Sequence, residues 1–182
     1  MSVEFERVTT RGGDTGESGL FSGERRRKDD LLFETMGDGD ELVSSLGVAR
    51  AQARRDGVDD IARAVETVQR AIFRVQSMIA TGPSSELYAT LQRIDDADVE
   101  KLEATLATLL DKTTIGEAFV IPGDSLLSSY LDVARTTCRR YERRIVSCIR
   151  DRTLVHLIPC QRWVNRLSDY LFVLARNVEQ RR

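Results

Sequence analysis

Apolar side chains recur at every third or fourth position through most of this chain, and this spacing constrains the fold more than any other feature. Such a repeat places apolar groups on one side of an α-helix, whereas a half-buried strand would alternate every second residue. The spacing predicts five helices, at about residues 38–56, 58–79, 99–109, 127–149 and 163–178, with a further turn at residues 31–36. An all-α fold, a five-helix bundle, is therefore expected.

Glycine and proline mark the segments between these helices. Eight of the twelve glycines precede residue 48, so the opening stretch is predicted to be loop, and the three prolines fall between helices or at the start of one. Residues 119–121 alone have strand character, and they are too few to form a sheet. We expect a single domain over residues 1–182, with an N-terminal loop at 1–30 and the helical bundle at 31–182.

Composition excludes several classes of protein. A net charge of −2 gives no general affinity for nucleic acid or for an acidic membrane. The sequence has no apolar run of about 18 residues and no signal-peptide pattern, which favours a soluble, cytoplasmic protein. With one histidine and three cysteines that lack CxxC spacing, no protein-bound metal site is predicted.

The predicted fourth helix carries most of the candidate chemistry. Arg135, Arg139 and Arg143 follow one another at intervals of four residues, which places three like charges along one side of the helix. Arg140 and Arg144 are expected to point further outward, and Glu142 lies near the apolar side. Two interpretations stay open: a solvated surface with acidic partners, or a site for an anion.

The N-terminal segment and the fifth helix offer two weaker signals. Residues 9–30 mix glycines and hydroxyl side chains with a basic cluster, so backbone amides could approach a phosphate closely. The segment matches neither a Walker A motif nor GxGxxG, and a disordered tail is the alternative. On the fifth helix, Asn165, Asp169 and Arg176 share a side that is either solvent-exposed or next to another subunit.

Taken in order, these segments resemble the PduO-type ATP:cob(I)alamin adenosyltransferases. The resemblance spans nearly the whole chain and is carried by ordered blocks: Thr10–Gly16 with Ser18, Lys28–Asp30, Glu34, Gly37, Asp40–Leu42, Ser44, Gly47, Gln69 with Phe73, Phe119–Gly123, Arg135, Arg139–Arg140, Glu142–Arg143 and Asn165–Asp169. The family implies a homotrimer of five-helix bundles, with ferritin-like up-and-down packing and with active sites between neighbouring subunits.

The resemblance also assigns roles to the matching positions. An N-terminal group would wrap the ATP: Thr10, Arg11, Gly12, Gly13, Ser18, Gly19 and Lys28. A helical group would complete the nucleotide site: Arg139, Arg140, Glu142, Arg143 and Asn165. Arg143 would contact the phosphates, Asp40 would pair with Arg139 near the subunit boundary, and Phe119 would lie under the corrin and displace the lower cobalt ligand.

The implied reaction transfers the 5′-deoxyadenosyl group of ATP to the cobalt of cob(I)alamin and releases triphosphate. Cobalt(I) is itself a strong nucleophile, which agrees with a sequence that has no evident nucleophile–base pair. Cationic side chains and a phosphate-bound Mg²⁺ would stabilise the triphosphate. A flavoprotein reductase and a B12-dependent acceptor enzyme are the implied protein partners.

Four positions depart from the family pattern. They are Val43, Gln76, Asp124 and Asp132, of which Asp124 lies in the loop expected to face the corrin. Two alternatives therefore stay open at this stage. One is a non-catalytic protein of the same fold that delivers or senses ATP or adenosylcobalamin, and the other is a structural bundle with a disordered N-terminal loop.

Overall fold

Five long α-helices account for most of residues 8–181, the part of the chain that this computed structural model describes. They are α1 (Leu31–Arg55), α2 (Asp59–Ala80), α3 (Asp96–Leu110), α4 (Leu126–Arg152) and α5 (Ile158–Glu179). Short 3₁₀ turns at Glu86–Thr90 and Val155–Leu157 precede α3 and α5. The predicted all-α fold with five helices is confirmed; residues 1–7 of the predicted N-terminal loop lie outside the described residues.

Side-chain caps begin three of the helices. The carboxylate of Asp30 accepts a hydrogen bond from the Leu32 amide at 2.9 Å, while Asp95 with Asp98 and Ser125 with Ser128 form capping boxes. These caps satisfy backbone amides that have no partner within the helix. Asp95 is thus the N-cap of α3.

Helix α1 begins seven residues earlier than predicted, because the predicted turn at 31–36 is its first part. The two glycines in this part of the chain, Gly37 and Gly39, favoured a loop over a helix in the sequence-based prediction. A Cβ at Gly39 would lie 3.0 Å from Cζ of Tyr141 on α4, so glycine here lets α1 and α4 approach closely. Packing between the two helices outweighs the low helix propensity of glycine.

A short hairpin replaces part of the loop predicted before α1. Strands β1 (Glu17–Gly19) and β2 (Arg25–Arg27) pair antiparallel, with Ser18 opposite Arg26. Gly23 turns the chain with a positive φ of 86°, a conformation that glycine adopts without strain. The strands have no alternating apolar pattern, so periodicity could not predict them. Residues 119–121 form no strand.

Neighbouring helices of the bundle run mostly in alternating directions. Helix α1 lies antiparallel to α2 and α4, and α4 lies antiparallel to α5, as contacts along their lengths indicate. Helix α3 runs parallel to α5 and packs on its other side. α5 is therefore buried on most of its circumference. Within residues 8–181, no helix combines the length and the hydropathy needed to cross a membrane.

Candidate functional site

Residues 10–16 fold into consecutive turns on the β1–β2 hairpin. The Gly12 amide donates to Oγ1 of Thr10 at 3.4 Å, and Arg25 donates to the Gly12 carbonyl at 2.9 Å. Backbone bonds from Asp14 to Arg11 and from Gly16 to Gly13 close the turns. We call residues 10–16 the N-terminal turns. Four of the predicted ATP-wrapping residues, Thr10 to Gly13, thus lie together in turns whose residues are mostly exposed.

Lys28 crosses directly over the N-terminal turns. Its amide donates to the Gly16 carbonyl at 2.8 Å, and a Cβ placed on Gly13 would lie 2.6 Å from its Nζ. Only glycine leaves room for the ammonium group at this point. In the described part of the chain Lys28 makes no ion pair with a carboxylate, so its charge is available to an external anion.

The hairpin is attached to one end of the bundle. The Ser22 amide donates to the carbonyl of Ala80, the last residue of α2. Asp30 binds Arg152, the last residue of α4, at 2.9 Å. The N-terminal turns and Lys28 therefore lie at the end of the bundle where α1 begins and α4 ends.

Two pairs of arginines on α4 differ in whether they have carboxylate partners. Arg140 binds Asp38 at 3.0 Å and also Glu41, while Arg144 binds Asp38 and Glu34, both at 3.4 Å. All of these carboxylates belong to α1, so Arg140 and Arg144 face a neighbouring helix. The prediction that they point further outward is wrong. Hydrogen bonds from Arg140 to Glu41 and Asp38 raise the pKa of the arginine.

Arg139 and Arg143 form the second group, which we call the cationic face. Arg143 donates to the Arg139 carbonyl at 3.1 Å, and within residues 8–181 neither guanidinium has a carboxylate partner. Arg139 and Arg135 line a cavity of about 220 Å³ between α3, α4 and α5, which Asp169 and Phe172 also line. An unpaired cationic pair beside a cavity is suited to binding an anion.

Glu142 and Asn165 lie together, as the sequence blocks predicted for a shared site. The side-chain amide of Asn165 donates to Oε1 of Glu142 at 2.8 Å. Arg166 donates to Oδ1 of Asn165 at 2.6 Å and to Glu103 at 2.7 Å. This polar chain joins α4, α5 and α3. It fixes the side-chain amide of Asn165 one turn from Asp169.

Asp40 and Arg139 do not meet within one chain. Both are exposed, and the neighbours of Asp40 on α1, Asp38 and Glu41, contact Arg140 instead. A contact between Asp40 of one subunit and Arg139 of another stays a prediction.

Phe119 lies in the loop that enters α4 at the end opposite Lys28. The 27 residues of α4 span about 40 Å. Phe119 precedes Ser125 by six residues, which reach about 20 Å when fully extended. The side chain is fully exposed, at 104%, and within one chain it falls well short of the end where Lys28 lies.

One polar cluster was not predicted from the sequence. Arg176 donates to buried Asp132 at 2.7 Å and to both oxygens of Glu179, and Arg135 also binds Asp132, at 2.9 Å. Hydrogen bonds from Arg176 lower the pKa of Glu179. The sequence predicts Arg176 on the same side of its helix as Asn165, and Asp132 departs from the family pattern. Only the tertiary structure brings Arg176 and Asp132 together.

Comparison with known proteins identifies related sequences over almost the whole length. A family model described as cobalamin adenosyltransferase matches residues 8–178. A corrinoid adenosyltransferase of Citrobacter freundii is 37% identical over 170 residues, covering 93% of each chain. A human corrinoid adenosyltransferase is 35% identical over 172 residues, covering 93% of this chain and 68% of its own length.

Solved structures agree with the sequence relatives. A variant PduO-type ATP:corrinoid adenosyltransferase from Lactobacillus reuteri, complexed with cobalamin and ATP, has a TM-score of 0.84 at 27% identity and covers 94% of this chain and 93% of that one. A second variant of that enzyme, complexed with ATP, has a TM-score of 0.82 at 26% identity, with 93% of each chain covered.

Proposed function

This chain belongs to the cobalamin adenosyltransferase family, and from that premise we propose how its residues carry out ATP-dependent adenosyl transfer to a corrinoid. In the reaction, the cobalt(I) electron pair attacks C5′ of the ribose, the C5′–O bond breaks, and triphosphate leaves with that bond's electrons. The chain's own residues bind ATP, stabilise the negative charge of the departing triphosphate and exclude water from the lower face of the corrin.

The cationic face is the observation that carries the proposal. Other arginines of α4 are neutralised by carboxylates, whereas Arg139 and Arg143 have none in residues 8–181. Triphosphate is the anion that the reaction generates, and fixed cations stabilise developing negative charge without reorganising. Arg143, Arg139 and Lys28 therefore contact the phosphates, and the N-terminal turns supply backbone amides.

We place each site between two subunits of a homotrimer. The opposite positions of Lys28 and Phe119 along α4 support this, because one chain cannot bring both to a single corrinoid and ATP. In this arrangement Asn165 and Glu142 complete the nucleotide pocket, and Asp40 approaches Arg139 from the neighbouring subunit. Arg140, held by Asp38 and Glu41, lies beside this pocket, and its place in the nucleotide site stays part of the proposal.

Phe119 provides an apolar surface for the corrin. A bulky side chain under the cobalt excludes water and the lower axial ligand, which favours reduction of cobalt(II) to cobalt(I). A flavoprotein reductase would supply that electron, and a B12-dependent enzyme would receive the product; we place the protein in the cytoplasm with both.

Mg²⁺ fits this site as a phosphate-bound ion. It prefers oxygen ligands and often binds mainly through substrate phosphates, and residues 8–181 contain no group of three or more His, Cys, Asp or Glu side chains that could hold a metal. The ion would neutralise part of the triphosphate charge, while Lys28, Arg139 and Arg143 supply the rest.

Anaerobic incubation with cob(I)alamin and Mg-ATP tests the proposal. We expect the visible spectrum of adenosylcobalamin to appear together with one equivalent of triphosphate. Omission of ATP is the control. Tight binding of ATP and corrinoid without product would contradict the proposal and identify a non-catalytic carrier or sensor.

A further inference from the structure

The loop that carries Phe119 combines exposed apolar side chains with fixed ends. Residues 111–125, which we call the Phe119 loop, contain neither helix nor strand. Phe119 and Ile121 are exposed at 104% and 86%, and Ile115 and Val120 are also partly exposed. A loop of this composition would normally sample many conformations, because little of its surface is buried.

The first end of the loop is held by the end of α5. Asn177 donates to the Thr113 hydroxyl at 2.9 Å and to the Lys112 carbonyl at 3.3 Å. Gln180 makes a two-way contact with Thr114, accepting from its amide at 3.0 Å and donating to its carbonyl at 2.7 Å. This pairing resembles one rung of a strand ladder and fixes both the position and the direction of the backbone.

The second end is held by the same turn of α5. Arg176 binds Asp132, in the second turn of α4, at 2.7 Å, and Glu179 holds the same arginine at 2.7 Å. Asp132 lies one turn beyond Ser128, the capping-box partner of Ser125, where the loop ends. Residues 176–180 therefore hold both ends of the Phe119 loop.

We propose that Asn177 and Gln180 are positioning residues for corrinoid binding: they hold the Phe119 loop in the conformation that receives the apolar lower face of the corrin. This inference rests on the proposed function. Restricting the loop before binding reduces the ordering entropy that the corrinoid would otherwise offset. It also keeps Phe119 aligned with the cobalt, and small misplacements of such a group slow a reaction strongly.

Gln180→Ala is the first test, because Gln180 is exposed and its removal opens no core cavity. We expect the KM for cob(I)alamin to rise about tenfold, since preorganisation of the loop is lost, while the KM for ATP stays within about twofold. Amide exchange should accelerate in peptides covering residues 115–124. Gln180→Glu keeps the acceptor for the Thr114 amide but loses the donor to the Thr114 carbonyl. Its KM for cob(I)alamin should therefore lie between those of the wild type and Gln180→Ala.

Gln52→Ala is the matched control. Gln52 is a glutamine in the last turn of α1, and its side chain bonds only Asp56, the C-cap of the same helix. It should change neither KM. The double variant Asn177→Ala/Gln180→Ala should raise the corrinoid KM further than the single variant; if it does not fold, the single variant decides.

Two outcomes would overturn the inference. One is a corrinoid KM within about twofold of wild type in Gln180→Ala despite faster exchange of the loop; the other is an equal rise in the KM for ATP. Failure of the proposed function would look different: wild-type protein would form no adenosylcobalamin, and none of these KM values could be measured.

Discussion

At the scale of single residues, the missing side chain of Gly13 lets Lys28 lie directly against the N-terminal turns. The space that its Cβ would fill is occupied by Nζ and Cε of Lys28, at 2.6 and 2.8 Å. The lysine ammonium is thus held against the N-terminal turns, where we propose that a phosphate binds. In that proposed site, the charge and the backbone donors are in place before ATP binds.

Gly13→Ala should weaken ATP binding while leaving the fold intact. The new methyl group would displace the flexible end of Lys28, which costs little stability but moves the charge away from the turns. We expect the KM for ATP to rise about tenfold, the scale of one charge-assisted hydrogen bond. Steady-state kinetics and the thermal midpoint measure the two effects, with Gly82→Ala, which meets only Ser84 at 3.8 Å, as control. A large fall in the thermal midpoint would contradict this view of Gly13.

Arg143→Ala should remove most of the turnover. Arg143 is exposed and makes no ion pair in the described residues, so truncation opens no core cavity, whereas loss of a cation beside the triphosphate weakens transition-state binding. A penalty of about 2–4 kcal/mol corresponds to about a 30- to 1000-fold lower rate. Arg150→Ala, on the same helix but paired with Asp151, is the control. Activity within about threefold of wild type would exclude Arg143 from the site.

The sequence predicted which arginines share a side of α4 better than it predicted what each side of the helix faces. Intervals of four correctly grouped Arg139 with Arg143, because helical geometry alone sets that relation. The direction of Arg140 was wrong because it depends on what packs beside α4: Asp38 and Glu41 lie about a hundred residues earlier in the chain. No local pattern encodes that contact.

At the scale of the helices, buried ion pairs between α4 and α5 hold the site's elements together. Asp132 and Arg176 are each about 5% exposed as side chains, and Glu179 supplies a second carboxylate to Arg176. A buried arginine needs such partners because water is excluded. Helix spacing predicted both helices, but not that an unusual aspartate on one would be matched by an arginine 44 residues later.

Asp132→Asn should therefore lower the free energy of unfolding by about 3 kcal/mol. This is near the lower end of the usual cost of removing one partner of a buried ion pair, because Glu179 still contacts Arg176. Urea denaturation measures the loss. Asp151→Asn removes an exposed carboxylate from the same helix and should leave the midpoint nearly unchanged. Equal stabilities of the two variants would show that the Asp132 pair is solvated in solution.

At the scale of the whole molecule, the positions of Lys28 and Phe119 argue for an assembly. α4 separates the hairpin end of the bundle from the Phe119 loop by about 40 Å, and the cationic face lies between them. In the proposed homotrimer, each protomer would present parts of two sites and complete neither. Local sequence could indicate the parts but not their separation, because the direction of each helix follows from packing.

Mixing two inactive variants tests this arrangement. Lys28→Ala should impair ATP binding and Phe119→Ala should impair corrinoid chemistry, so we expect each homotrimer to be nearly inactive. In randomly mixed trimers, a site between an intact Lys28 of one protomer and an intact Phe119 of its neighbour forms about a quarter of the time. Co-refolding equal amounts should then restore about a quarter of wild-type turnover, whereas mixing without refolding should restore none. If both residues served a site within one chain, no mixed protomer would carry both, and co-refolding would restore nothing; light scattering of the same samples checks that trimers have formed.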